Sequence, residues 1–330
     1  FVVMLNCGII GYGVMGQIRH ETCNLIDEFE VKKIYDTDIS LIKNQSLIAE
    51  SIDDIINDES IDVVFIATPN FLNKELTIQC LNQNKHIFCE KPPALSSNDI
   101  LDIQKIENKD RVLMYGFNHR HHASIIKCKE LIDSGEYGNI LWMRGRYGKS
   151  VDNSFFNNWR ADFSKSGGGI LMDQGIHMLD LFLLFCNDFD VVKSIVSNSY
   201  WNSDIEDNVF AMFKNSKKNI SASLHSTMTQ WRHLFSLEIF LESGYLVING
   251  LNTSSGTYGK EELSIAKRRS TPPAATWEDE KKIIFNDNFW HTEMLYFLDC
   301  IKEKKIPVMC NSNDAYKILE LIERVYEDGR

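Results

Sequence analysis

Residues 5–10, Leu-Asn-Cys-Gly-Ile-Ile, run straight into Gly11-Tyr12-Gly13-Val14-Met15-Gly16. A short apolar run closed by glycines reads as a buried strand entering a tight turn. A helical stretch follows to about residue 29, then a second strand over 31–35. Asp36 ends that strand, twenty residues after Gly16. Strand, G-x-G-x-x-G, helix, strand and acid, in that order, make a dinucleotide-binding unit. The glycines let a pyrophosphate approach the backbone, and the helix start supplies free N–H groups and a positive dipole end. Asp36 would accept hydrogen bonds from ribose hydroxyls and repel a 2′-phosphate, which favours NAD over NADP.

The same alternation continues. Residues 62–67 form another apolar strand ending in Thr68-Pro69-Asn70, with a helix to about 82. Residues 86–89 are the next strand, with Glu90-Lys91-Pro92-Pro93 at its end, and 111–115 a further one. Ligands of open parallel sheets bind at the carboxyl ends of strands, so Thr68, Asn70 and Lys91 converge on one crevice. After a helix over 123–134 the pattern changes. Strands are expected at 140–147, 191–198, 208–213, 220–227, 234–241, 245–248 and 263–266, separated mostly by turn residues, with closing helices at 289–302 and 314–326. The fold class is therefore α/β plus α+β: an N-terminal Rossmann doubly wound parallel sheet over 1–118, and a C-terminal mixed, mostly antiparallel sheet with flanking helices over 119–330.

Charge and composition narrow the partners. The formal net charge is −11, against a nucleic acid or an anionic membrane surface. No unbroken run of 18 apolar residues occurs, so no spanning helix is expected. Phe1-Val2-Val3-Met4-Leu5-Asn6 lacks the basic region and cleavage site of a signal peptide. The eight scattered cysteines, none in a C-x-x-C pair, read as reduced thiols of a cytoplasmic protein.

Gly167-Gly168-Gly169 opens a segment apolar nearly all round, reaching Phe185. Asp173, His177 and Asp180 fall at i, i+4 and i+7 along it. Ionisable groups in a buried helix are costly unless paired or used. Proton transfer, metal ligation and a structural ion pair all remain open for Asp173 and His177 on spacing alone, though further ligands at metal spacing are missing. His119, His121 and His122 read as helix entry, with one side chain able to line a cleft. Arg120, Arg146 and Arg160 suit either a carboxylate or diphosphate on a substrate, or salt bridges within the fold.

Taken together, Gly11 to Gly16, Ala67-Thr68-Pro69-Asn70, Glu90-Lys91-Pro92, Trp159-Arg160 and Gly167-Gly168-Gly169 with Asp173, His177 and Asp180 resemble the Gfo/Idh/MocA family, the glucose–fructose oxidoreductases, inositol dehydrogenases and relatives. The resemblance covers essentially the whole chain. Two departures stand out: Asn73 where many members have His, and Ala123 where many have Pro. The resemblance implies a catalytic Lys91, Asp173 and His177, with Asp180 supporting His177 and no metal. It implies NAD held by Gly11, Tyr12, Gly13, Val14, Met15, Gly16, Asp36, Thr68, Pro69, Asn70, Glu90, Lys91, Trp159 and Arg160. Asn118, Arg120, Tyr147, Arg160, Asp173 and His177 would face the substrate, a sugar or nucleotide sugar, the latter because residues 116–120, 144–148 and 159–162 look most like a branch from polysaccharide gene clusters. The glycine triplet would let the second domain close over the nicotinamide, and the C-terminal sheet would form a homodimer or homotetramer. Two other readings stay open: an NAD-dependent glycosidase, and a non-catalytic dinucleotide-binding regulator.

Overall fold

A computed structural model describes residues 4–329; Phe1–Val3, part of the stretch read for a signal peptide, and Arg330 lie outside the described residues. The chain divides into two compact units. The first joins Phe1–Asn118 to Phe289–Leu319, and the second joins His119–Asn288 to Glu320–Arg330. The return of residues 289–319 to the first unit is not part of a simple division at 118/119.

Unit one is a five-stranded parallel sheet, β1 (Leu5–Ile10), β2 (Phe29–Tyr35), β3 (Val63–Ile66), β4 (His86–Cys89) and β5 (Leu113–Tyr115), in the order β2-β1-β3-β4-β5. Helices α1 (Val14–Cys23), α2 (Asp53–Ile56), α3 (Asn70–Asn82) and α4 (Ser97–Gln104) connect them. The first helix is shorter than expected: Asn24 caps it, and the chain turns back through Phe29 to open β2. Helix α4 is only eight residues long, with Ile100 and Ile103 on its buried face; its capping box, Ser96 with Asp99, marks its start. Strands β3 and β5 are buried throughout and β1 and β4 nearly so, because helices cover parallel sheets on both faces, whereas the edge strand β2 alternates, with Glu30 and Lys32 exposed.

Unit two holds α5 (Ala123–Asp133), α6 (Phe163–Ser166) and α7 (Ile176–Cys186) with an eight-stranded sheet. Its strands are β6 (Ile140–Ser150), β7 (Val191–Ser197), β8 (Asn208–Asn215), β9 (Ile220–Thr227), β10 (Thr229–Leu241), β11 (Gly244–Asn249), β12 (Glu261–Lys267) and β13 (Lys281–Phe285), ordered β13-β12-β11-β10-β6-β9-β8-β7. Every neighbouring pair is antiparallel except β6 with β9, so the sheet is mixed and mostly antiparallel. Strand β13 escapes a sequence reading because Lys281-Lys282 open it on an exposed edge. By length and composition Phe163–Cys186 is apolar enough to cross a bilayer, despite having no unbroken apolar run of that length, but most of it is buried inside the fold, as in a core helix.

The core of unit one contains a charged cluster. Helix α8 (Phe289–Lys302) brings Phe297 against Phe29, Phe65 and Phe88. Beside this aromatic group the fully buried Arg19 lies over the rings of Phe88 and Trp290, 4.2 and 4.9 Å from their centroids. Its Nε donates to Glu90 Oε1 at 2.7 Å and its Nη1 to Glu293 Oε2 at 2.6 Å. Burial pushes the Glu293 carboxyl up to about 7, with Arg19 opposing and Glu90 adding to the rise. The sign follows. Between the ordinary glutamate range and about pH 7 the folded chain holds a proton that the unfolded chain has lost, so this group's share of stability, at most about 3 kcal/mol, falls away as pH rises through that window. Glu293→Gln is neutral at every pH. Its unfolding free energy relative to the parent is expected to increase between about pH 5 and about pH 8 in urea titrations; a pH-independent difference would show that Glu293 is already ionised throughout.

Candidate active site

Each glycine of the first turn has a physical reason. A Cβ on Gly11, whose φ is +89°, would lie 2.5 Å from the Ala67 carbonyl oxygen, and one on Gly16 would lie 2.0 Å from that of Gly11. Strand and helix therefore pack closer than any side chain permits. A Cβ on Gly13 would meet nothing within 4 Å, so that position faces open space. Helix α1 starts there with no side-chain cap and no acidic residue in its first turn. Its positive end is left for an anion. Asp36 Oδ2 accepts from Tyr12 N at 2.5 Å and Oδ1 from Asp38 N at 2.8 Å, which fixes the carboxylate beside the turn. A dinucleotide fits these residues: the pyrophosphate at the open α1 start, a ribose at Asp36.

Thr68, Asn70 and Lys91 follow the carboxyl ends of β3 and β4, on the same edge of the sheet as the glycine turn. Asn73, fully buried, ties the two loops together. Its Oδ1 accepts from Thr68 Oγ1 at 2.9 Å, and its Nδ2 donates to the Pro92 carbonyl at 2.8 Å. The departure at this position thus has a structural role. Glu90, expected at the cofactor, is ion-paired with Arg19, and a Cβ on Gly116 would come within 2.7 Å of Glu90 Oε2. Lys91 is half-buried, with both chain neighbours fixed.

In unit two the glycine triplet serves packing. A Cβ on Gly168 would collide with Tyr326 Oη at 2.0 Å, and one on Gly169 with the Glu206 carbonyl at 2.0 Å. The Glu206 carboxylate accepts from Gly169 N at 2.8 Å and Leu171 N at 3.0 Å, capping the helix that follows. The triplet is therefore a close-packed seat for Glu206. The segment is also not one continuous α-helix: Leu171–Gly175 is a π-helical turn leading into α7. The wider turn alters the spacing between Asp173 and His177, and such turns recur at functional sites.

Asp173 is ion-paired through Oδ2 with Lys149 Nζ. His177 is 6% exposed, and its ring lies flat against His119, centroids 3.8 Å apart and planes 18° from parallel. His119 Nε2 is 3.2 Å from Tyr147 Oη, and burial holds the Tyr147 phenol well above its ordinary range. Gln174 Nε2 donates to Tyr258 Oη at 2.5 Å. Arg120 makes a buried pair with Asp180, donating from Nε to Oδ2 at 2.9 Å and from Nη2 to Oδ1 at 2.6 Å. Asp180 is thus anchored by Arg120. Arg146 donates to Ser236 Oγ at 3.4 Å, and Asn118, buried, ends unit one. Trp159 and Arg160 lie in a short exposed turn, the guanidinium 4.6 Å from the indole centroid. His122 is paired with Glu261 at 2.8 Å.

Unit one therefore gathers the glycine turn, Asp36, Thr68, Pro69, Asn70, Glu90 and Lys91; unit two gathers Asp173 and His177 with Tyr147 and Arg120. Sequence reasoning missed Lys149, Gln174, Tyr258 and the stacking role of His119. Strand alternation carries the signal for Lys149, since it shares a face of β6 with Tyr147.

Two family models match the chain. Residues 5–117 match the oxidoreductase family, NAD-binding Rossmann fold, and residues 125–247 the GFO/IDH/MocA C-terminal domain. Levoglucosan dehydrogenase of Pseudarthrobacter phenanthrenivorans is 35% identical over 146 residues, 43% of this chain and 37% of that protein. Glucose-6-phosphate 3-dehydrogenase of Bacillus subtilis is 32% identical over 198 residues, 56% of this chain and 55% of that protein. The chain thus spans about half the length, or less, of the curated relatives it matches. A solved levoglucosan dehydrogenase, in complex with NADH and levoglucosan, superposes with a TM-score of 0.85 at 23% identity, covering 98% of this chain and 97% of that one, which is a likeness of fold.

Proposed function

The chain belongs to the Gfo/Idh/MocA oxidoreductase family, and on that premise we propose that it is an NAD-dependent dehydrogenase oxidising a ring hydroxyl of a sugar or nucleotide sugar to a ketone. One observation carries the reading furthest: the open, uncapped α1 start closed by Asp36 lies on the same sheet edge as Lys91. The glycine turn would hold the pyrophosphate and Asp36 the ribose, with Thr68, Pro69 and Asn70 alongside. When bound, the nicotinamide supplies the hydride acceptor. His177 takes the hydroxyl proton, because an imidazole titrates near neutral pH. Lys91 donates to the same oxygen and stabilises the negative charge building on it. Asp173, itself held by Lys149, sets the tautomer of His177.

A nucleotide diphosphate on the sugar is the finer part of the proposal. Arg160, exposed in its turn, and Arg146, exposed on β6, are cations available to it, whereas the Arg120 guanidinium is engaged by Asp180. Self-association through the C-terminal sheet is supported by Ile195, Phe210 and Met212, exposed on β7 and β8, and a solution mass of two or four chains is expected from light scattering. The eight buried free cysteines support a cytoplasmic location.

The carboxylate beside Tyr12 decides between cofactors. Asp36→Ser is expected to shift the ratio of kcat/KM for NAD over NADP towards NADP by about 10–100-fold, the worth of charged hydrogen bonds lost and repulsion removed. An unchanged ratio would place cofactor choice elsewhere. The function itself is tested by following NADH formation across free sugars, UDP-sugars and inositols. Saturable turnover of one ring class is expected; no turnover of any would defeat the reading, and turnover of free polyols alone would defeat the nucleotide-sugar part.

A further inference from the structure

A histidine acting as a base needs its ring plane fixed as well as its position. Its second side-chain torsion joins tetrahedral carbon to a planar ring, and such torsions have broad wells. Helix α7 fixes the Cβ of His177 and leaves the plane to its surroundings. A flat neighbour meets it there. His119, 3% exposed, lies 3.8 Å from the His177 ring and 18° from parallel with it. At that spacing only near-parallel rings fit, since edge-to-face aromatic pairs need about 5 Å or more between centroids. Turning the His177 ring out of plane would drive its edge into His119.

His119 is itself held. Its Nε2 is hydrogen-bonded with Tyr147 Oη at 3.2 Å, and its ring meets those of Phe235 at 5.9 Å and His122 at 5.4 Å. Tyr147 is packed edge-on against Phe235 and Tyr258, at 5.2 and 5.4 Å, and its carbonyl accepts from Ser226 Oγ. A rigid wall on β6 and β10 thus ends in an imidazole face turned to His177.

We propose that His119 is a positioning residue: its ring, anchored by Tyr147, is the plate against which the His177 imidazole is held in the plane that receives the hydroxyl proton. The inference rests on the reading of His177 as the base. It adds a requirement for a flat ring, not for a second titrating group, at position 119.

Two variants and two readouts test it. His119→Ala is expected to lower kcat about 10–100-fold, the usual cost of a misplaced catalytic group, with KM for sugar and for NAD within about twofold. His119→Phe restores a flat ring without the Tyr147 hydrogen bond and is expected to recover kcat to within about threefold of the parent. In the protein labelled with 13C-histidine, loss of the stacked ring in His119→Ala moves the His177 ring-proton resonances downfield, and His119→Phe returns them towards the parent. An unchanged kcat in His119→Ala, a His119→Phe as slow as His119→Ala, or His177 resonances indifferent to both variants overturns the proposal. If the parent oxidises no sugar while the resonances move as expected, the plate stands and the dehydrogenase reading alone fails.

Discussion

Lys91→Met is expected to lower kcat for sugar oxidation by about 10²–10⁴-fold, the usual span for a group acting on the proton and charge of a transition state. Met keeps the length and apolar stem of Lys and removes only the ammonium. The turn around it is fixed by groups the substitution leaves alone: Asn73 on the Pro92 carbonyl, and Arg19 on Glu90. NAD affinity, read by calorimetry, should therefore stay within about threefold, because the proposed pyrophosphate and ribose contacts are the glycine turn and Asp36, not Lys91. Lys91→Arg keeps the charge but presents a planar fork where a compact ammonium stood, and should restore only part of the rate. A Lys91→Met protein with the parent's kcat would remove Lys91 from the chemistry.

The largest effect on stability is expected at Arg19. Arg19→Met leaves the Glu90 and Glu293 carboxylates buried without their shared cation, and breaking such a pair costs about 3–5 kcal/mol. The loss also has a pH signature. Glu293 titrates at about 7 with Arg19 present, and removing that cation raises it further. The variant can then shed repulsion by keeping a proton, so the deficit should be smaller near pH 6 than near pH 8, at about either side of that value. Arg19→Met combined with Glu293→Leu removes one uncompensated carboxylate and should recover part of the loss. Urea midpoints of the two variants and the parent measure this directly. A loss under about 1 kcal/mol for Arg19→Met would mean that water or a side-chain shift satisfies both carboxylates.

The architecture was readable because its signals are local. The apolar run into Gly11, the acid at Asp36 and the strand-end Lys91 each declare themselves within a few residues, and the antiparallel half is marked by turn residues at regular spacing. What could not be read lies in long-range pairing. Arg19 looks like an ordinary helix arginine until Glu293, nearly the whole chain away, folds back beside it. Glu90 looks like a cofactor residue because it adjoins Lys91, yet the cation it meets comes from α1. The glycine triplet suggests a flexible hinge, and only Glu206 and Tyr326 reveal that close packing requires it. The π-helical turn at Asp173 is invisible to periodicity, since one inserted residue leaves the apolar pattern almost unchanged. His119 sits among three histidines that resemble a metal tract, and its flat contact with His177 depends on where β6 delivers Tyr147.

Hydride transfer from the carbinol carbon to NAD is the central step of the proposed reaction. The most direct test uses a sugar accepted in turnover assays, deuterated at the carbinol carbon, with NAD and the purified chain, and mass analysis of the dinucleotide product. One deuterium per NADH formed is expected, with a ketone in equal amount and loss of both in Lys91→Met and His177→Ala. Product dinucleotide without deuterium, or sugar conversion that needs only catalytic NAD and leaves no ketone, would contradict it.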